Sequence, residues 1–214
     1  MTTQKHISGP DRKHVSVFVG GMALLLALLC SAAGTARADE IGLLRFYYSK
    51  WISGAMLKSP LDPEGQLAGK KLELLSKGEV ELILWDHLGV SYTGQKIGRK
   101  TRVGPSLVEE YSFQTFTSLT LYPFASRHNA FNLFIGAGRG QAQFEVRVDR
   151  VFQEDPLYKG IPLKRRFAGM EYTYERVGYR LEAMAVNGMK QAADGRVVEI
   201  IQRLGYFTMY IPFN

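Results

Sequence analysis

Hydrophobic and polar residues alternate with a period of two along most of the chain beyond residue 40. From Leu72 to Trp85, one face carries Leu72, Leu74, Val80, Leu82 and Leu84, and the other Glu73, Lys77, Glu79 and Glu81. From Gln141 to Val148, Ala142, Phe144, Val146 and Val148 alternate with Gln141, Gln143, Glu145 and Arg147. The same rhythm sets Ala168, Met170, Tyr172 and Tyr174 against Gly169, Glu171 and Thr173, and Val177, Tyr179, Leu181, Ala183 and Ala185 against Gly178, Arg180 and Glu182. Alternation of this kind belongs to strands with two unlike faces. It predicts eight strands, over 41–56, 70–85, 89–98, 110–123, 130–148, 164–174, 177–187 and 197–212. Their links alternate in length. The long ones are 57–69, 99–109, 149–163 and 188–196; the short ones are 86–88, 124–129 and 175–176. Most Pro and Gly punctuation falls in the long links, as in Pro60-Leu61-Asp62-Pro63-Glu64-Gly65.

The first 38 residues follow another pattern. A polar stretch with Lys5, Arg12 and Lys13 leads into an apolar run, Val17 to Leu29, and then into small residues ending Ala36-Arg37-Ala38. This is the layout of a secretory signal peptide, with cleavage expected after Ala38. Two segments follow, a leader over 1–38 and one β domain over 39–214. The single Cys of the 214 residues, Cys30, lies in the leader, so the domain needs no disulfide framework. Leu29 is too large to precede a lipidated Cys30. The chain's formal charge of +7 resides partly in the leader, which leaves no argument for nucleic acid as a partner.

An even set of antiparallel strands, short turns at one end and long loops at the other, defines an all-β, closed, eight-stranded antiparallel transmembrane β-barrel of meander topology. Strands near ten residues cross a bilayer when tilted. A lipocalin-like barrel, soluble in the periplasm and acting as a carrier, would share the period with its apolar face inward. Charges of both signs on the polar faces favour the membrane arrangement. Arg45, Glu73, Lys77, Glu79, Glu81, Glu145, Arg147, Glu171, Arg180 and Glu182 would cross-pair in a narrow lumen. Aromatic residues recur near strand ends, as in interfacial girdles.

The last residues, Gly205 to Asn214, place Phe207, Met209, Ile211 and Phe213 on one face. They resemble the terminal strand of outer-membrane barrels, which the barrel assembly machinery reads, although Asn214 follows the final Phe here. Leu119 to Gly140 (LTLYPFASRHNAFNLFIGAGRG) resembles the turn region of small OmpA-, OmpX- and OmpW-like barrels, porin-like in architecture. The resemblance implies residence in the Gram-negative outer membrane among lipid and lipopolysaccharide, as a monomer.

Candidate chemistry is sparse. Gly136-Ala137-Gly138-Arg139-Gly140 lacks the continuation of a dinucleotide loop, because Gln141 follows and no helix pattern does. His87 and His128 fall in separate turns, so neither a metal nor a cofactor is expected. Ser126-Arg127-His128-Asn129-Ala130 is similar to the His-x-Ser-Asn-Ala motif of outer-membrane lipid A deacylases, but no Ser follows the His. Ser126 and His128 are therefore weak catalytic candidates, for a lipid A or phospholipid modifying enzyme. Arg99, Lys100 and Arg102, with Lys164, Arg165 and Arg166, are expected at the outward rim, where Arg and Lys bridge lipopolysaccharide phosphates. The leading expectation is non-enzymatic: envelope integrity, surface interaction or binding of a small apolar ligand, with a filled, ion-paired lumen.

Overall fold

The computed structural model describes residues 43–65, 72–124, 130–174 and 177–213. The expected leader and its cleavage site lie outside the described residues, as do Ser126 and His128. The strands are β1 (Leu43–Lys58), β2 (Glu73–Leu84), β3 (Leu88–Val103), β4 (Ser106–Leu121), β5 (Phe131–Val148), β6 (Val151–Gln153), β7 (Ile161–Tyr174), β8 (Val177–Gln191) and β9 (Val197–Phe213). Each long strand pairs antiparallel with the next, and β9 returns to β1, from Leu44 opposite Phe213 to Lys58 opposite Ile201. Eight strands thus close a ring with no free edge, which satisfies the backbone in lipid. The short β6 folds back on β5 through Asp149 and Arg150, both at positive φ, the pairing demanded by a tight hairpin turn.

Three links differ from the reading of the sequence. The expected long loop 99–109 is a two-residue turn, Gly104-Pro105, because β3 and β4 continue to Val103 and from Ser106. β7 starts at Ile161, and β8 runs on to Gln191. The strands therefore outlast the apolar belt at the end opposite the chain termini, which we take as the outer end.

The interior is layered as a consequence. Near the termini, the outer surface is apolar: Phe46, Leu119, Leu121, Leu133, Ile135, Met170, Tyr172, Leu181, Met209 and Phe213 are exposed there. The same stretches bury charge inside. Toward the outer end the pattern inverts. Met56, Ile97, Ala142, Phe144, Ile161, Val186 and Ile200 form a buried apolar cluster within the barrel, while polar residues face out. The inversion places Glu145 and Arg147 outside, bridged to each other at 3.8 Å, and not in the lumen as expected. A wall standing in water needs no apolar exterior, and its core closes as a soluble protein's does.

Glu73 also departs from the expected lumen. A register shift between Leu74 and Ser76 adds one residue to β2, so Leu74 packs inward and Glu73 lies exposed. Within a strand parity decides direction: Arg99 of β3 and Arg165 of β7 are buried in the barrel, whereas Lys100, Arg102, Lys164 and Arg166 point out.

Gly178 leaves room for the buried Tyr210 ring; a Cβ there would overlap it. Gly178→Ala should lower the unfolding free energy by about 1–3 kcal/mol, the usual range for overpacking. Urea titration of the folded band in lipid vesicles would measure it, and an unchanged midpoint would show that the ring moves freely.

Candidate functional site

Two regions concentrate the polar chemistry of the described residues: the lumen and the outer rim. In the membrane-level lumen, four cations (Arg45, Lys77, Arg165, Arg180) and four carboxylates (Glu79, Glu81, Glu171, Glu182) are buried, so the formal charges cancel. Arg45 Nη1 lies 2.7 Å from Glu171 Oε1. Arg180 bridges Glu81 at 3.5 Å and Glu182 at 3.3 Å. Lys77 lies 3.3 Å from Glu182 and 3.7 Å from Glu79, which Arg165 approaches at 3.9 Å. Glu81 also accepts from the Tyr122 hydroxyl at 2.7 Å and from the Tyr47 hydroxyl.

Aromatic faces take up what the carboxylates leave. The Arg180 guanidinium sits 3.7 Å from the Phe134 centroid, Arg45 4.8 Å from Tyr210, Lys77 4.2 Å from Tyr206, and Arg165 4.7 Å from Phe167. Cations on aromatic faces are stabilised most when desolvated, as here. Above this layer Gln114 donates to Gln202 at 3.0 Å and Gln95 donates to Gln114 at 2.8 Å. Next comes the apolar cluster, and above it Arg99. Arg99 Nε donates to Glu110 at 2.9 Å, its Nη2 to Ser59 at 2.8 Å, and its Nη1 lies 3.6 Å from Asp62. Arg99 thus ties the first outer loop to the wall and is not available at the rim.

The tyrosines and glutamines of the lumen went unrecognised in the sequence. On β1 Tyr47 shares the parity of the charged Arg45, which was an available signal, but on β9 Gln202, Tyr206 and Tyr210 have the parity opposite to the charged Glu199 and Arg203. Among the outward cations, Lys100 pairs with Glu109 at 3.0 Å and Lys58 with Glu199 at 2.7 Å. His87 caps the inner turn after β2, its Nδ1 2.8 Å from the Tyr122 carbonyl oxygen.

Two outer loops are clasped together. Arg196, before β9, bridges Asp194 at 2.7 Å and reaches Asp155, after β6, at 2.6 Å. Asp155 is held below the usual carboxylate range by the Leu157 backbone N–H and by Arg196. Asp194 is held below it by the Arg196 side chain and backbone N–H. Depressed carboxylates favour the clasped form above the ordinary Asp range and lose that preference as pH falls through their lowered values. We expect limited proteolysis at residues 154–160 to be slow near neutrality and to accelerate in acid. Arg196→Ala should speed cleavage near neutrality and weaken the pH dependence, with the Leu157 N–H still favouring ionised Asp155; a pH profile identical to wild type would show that the clasp does not form.

No protein-family model matches the chain, and no curated protein sequence matches it. Solved structures do. Neisserial surface protein A (NspA) aligns with a TM-score of 0.52 at 11% identity, covering 80% of this chain and 97% of that one. The outer membrane protein OprG from Pseudomonas aeruginosa aligns at 0.48 and 11%, covering 82% and 97%. Ail, the attachment invasion locus protein of Yersinia pestis, aligns at 0.45 and 12%, covering 81% and 99%, in a complex with the heparin analogue sucrose octasulfate. At such identities the likeness defines the fold. The chain is an eight-stranded transmembrane β-barrel of the outer-membrane type. Its exposed apolar wall and charged interior overturn the expectation of a soluble lipocalin-like carrier as an alternative.

Proposed function

We propose that the protein is an exported outer-membrane barrel that conducts no solute and acts without catalysis, through its outer wall and protruding rim. The observation that carries this reading is the interior: a charge-balanced plug fills the membrane level, and a packed apolar cluster lies above it. Eight strands leave little space beyond their side chains. Envelope integrity and contact at the cell surface are the roles open to such an object.

In this reading the leader is removed after Ala38, the β9 strand is what the barrel assembly machinery reads, and the folded protein is a monomer. Lipopolysaccharide is the expected neighbour of the outward cations Lys100, Arg102, Lys164 and Arg166, but not of Arg99 and Arg165, whose partners lie inside the barrel.

The test combines two measurements on the purified protein. Unboiled samples in detergent should run faster than boiled ones, as a closed barrel does. Reconstituted in a planar bilayer, the folded form should give no stepwise current. Discrete conductance steps from protein with the fast-migrating band would overturn the reading.

A further inference from the structure

The outer wall formed by β5, β7, β8 and β9 combines two features. The first is a cluster of cations without carboxylates. Arg139 and Lys164 stand directly opposite each other across β5 and β7. Arg166 is one outward position nearer the inner end of β7, and Arg203 lies across Ala185 from it. All four side chains are exposed. Among the described residues, the acceptors of Arg203 are neutral, Asn187 at 3.2 Å and the Gln202 carbonyl oxygen at 2.9 Å. Among the described residues, none of the four forms an ion pair, whereas Lys58, Lys100, Arg147 and Arg196 on the same exterior each do. Like charges directly opposite in a sheet repel, so this arrangement favours an anion.

The second feature is a groove of about 510 Å³ in the lipid-facing wall, lined by Ala168, Met170, Leu181, Ala183, Gly205 and Phe207 among others. Small residues form its floor and large apolar ones its sides. Ala168 and Gly205 each lie two residues along their strands from Arg166 and Arg203, toward the inner end, or about 7 Å. The groove therefore begins where the cations end.

We infer that this wall is a binding site for a phosphorylated, multiply acylated glycolipid of the outer leaflet, lipid A, with an acyl chain in the groove and its phosphates on Arg166, Arg203, Lys164 and Arg139. The anion must be amphipathic, because the cations adjoin an apolar slot on a surface that lipid covers. Four cations spread over three strands, β5, β7 and β9, match a ligand with more than one phosphate, and Arg binds phosphate oxygens bidentately. The inference rests on the outer-membrane reading above.

Native mass spectrometry of the full-length barrel, released from detergent micelles with hexa-acylated bisphosphoryl lipid A, tests it. Wild type should retain one lipid A. Lys164→Gln with Arg166→Gln should reduce retention at least tenfold, and Ala183→Phe, which fills the groove and keeps every charge, should reduce it severalfold. The mobility shift on boiling checks that each variant is folded. Equal retention of phosphatidylglycerol, with two chains and one phosphate, would overturn the assignment to lipid A. So would undiminished lipid A binding by both folded variants. A conducting wild-type barrel that still binds lipid A would overturn the non-conducting reading and leave this one standing.

Discussion

Glu81→Ala should lower the unfolding free energy of the barrel by about 3–5 kcal/mol, the range for removing one partner from a buried charge group. Glu81 accepts from the hydroxyls of Tyr47 and Tyr122 and bridges Arg180. Its loss leaves the membrane-level lumen with one excess positive charge and two buried hydroxyls without this acceptor. Glu81→Gln keeps an acceptor for the tyrosines and should cost less. Glu81→Leu combined with Arg180→Met removes both charges and should recover much of the loss, since replacing a whole buried pair is far milder than breaking it. Urea titrations in lipid vesicles supply the double-mutant cycle. Simple additivity would show that Glu81 and Arg180 do not act as a unit.

The cancelling charges bear on why the barrel can be both charged inside and closed. Each guanidinium of the lumen has a carboxylate or an aromatic face within reach, from strands far apart in sequence: Arg45 meets Glu171, and Arg165 meets Glu79. The network therefore ties β1 and β2 to β7 across the lumen, in addition to the backbone ladder. Such a plug is costly to disrupt, because opening it would strand several charges at once. On the non-conducting reading proposed above, function falls to the exterior.

The ring of eight strands was legible because a bilayer imposes a long, regular alternation, and the inner turns interrupt it where they should. The face pointing outward was legible for β7, β8 and β9, which carry Met170, Leu181 and Met209 on the lipid side. It was not legible for the outer half of β5. There Phe144 and Val146 alternate with Glu145 and Arg147 just as Met170 alternates with Glu171 in β7, yet the two point opposite ways. Period two records that the faces differ, not which medium lies on each. Height above the membrane decides that, and height follows from strand lengths that the sequence understated at 99–103 and 106–109. The bulge at Leu75 is a second case, since one added residue moved Glu73 to the exterior. The cluster on the outer wall was half visible. Lys164 and Arg166 stood out as a basic run, but Arg139 and Arg203 are isolated in sequence and become neighbours only through the β5–β7 and β8–β9 registers.

Met170→Arg should reduce barrel stability by about 2–4 kcal/mol and sharply lower the folded yield in vesicles, the range for Arg on the lipid face near the bilayer midplane. Met170 is 45% exposed, and its direct cross-strand neighbours are Leu133 on β5 and Leu181 on β8, both exposed and apolar. It stands four residues from the inner end of β7, so the new guanidinium has lipid on every outward side. A lumen carboxylate cannot reach it through the wall, because Glu171 next to it points the other way. Gln143→Arg is the matched comparison. It faces outward on β5 opposite Phe113 and between the polar Gln141 and Glu145 on the protruding wall, and should fold as wild type does. The pair thus tests both the direction of the apolar face and the height at which lipid gives way to water. Equal folding yields would mean that Met170 does not face hydrocarbon, and loss in both would mean that the bilayer extends past Gln143. Loss in Met170→Arg alone places the boundary between them, on the stretch of wall that carries Arg166 and Arg139.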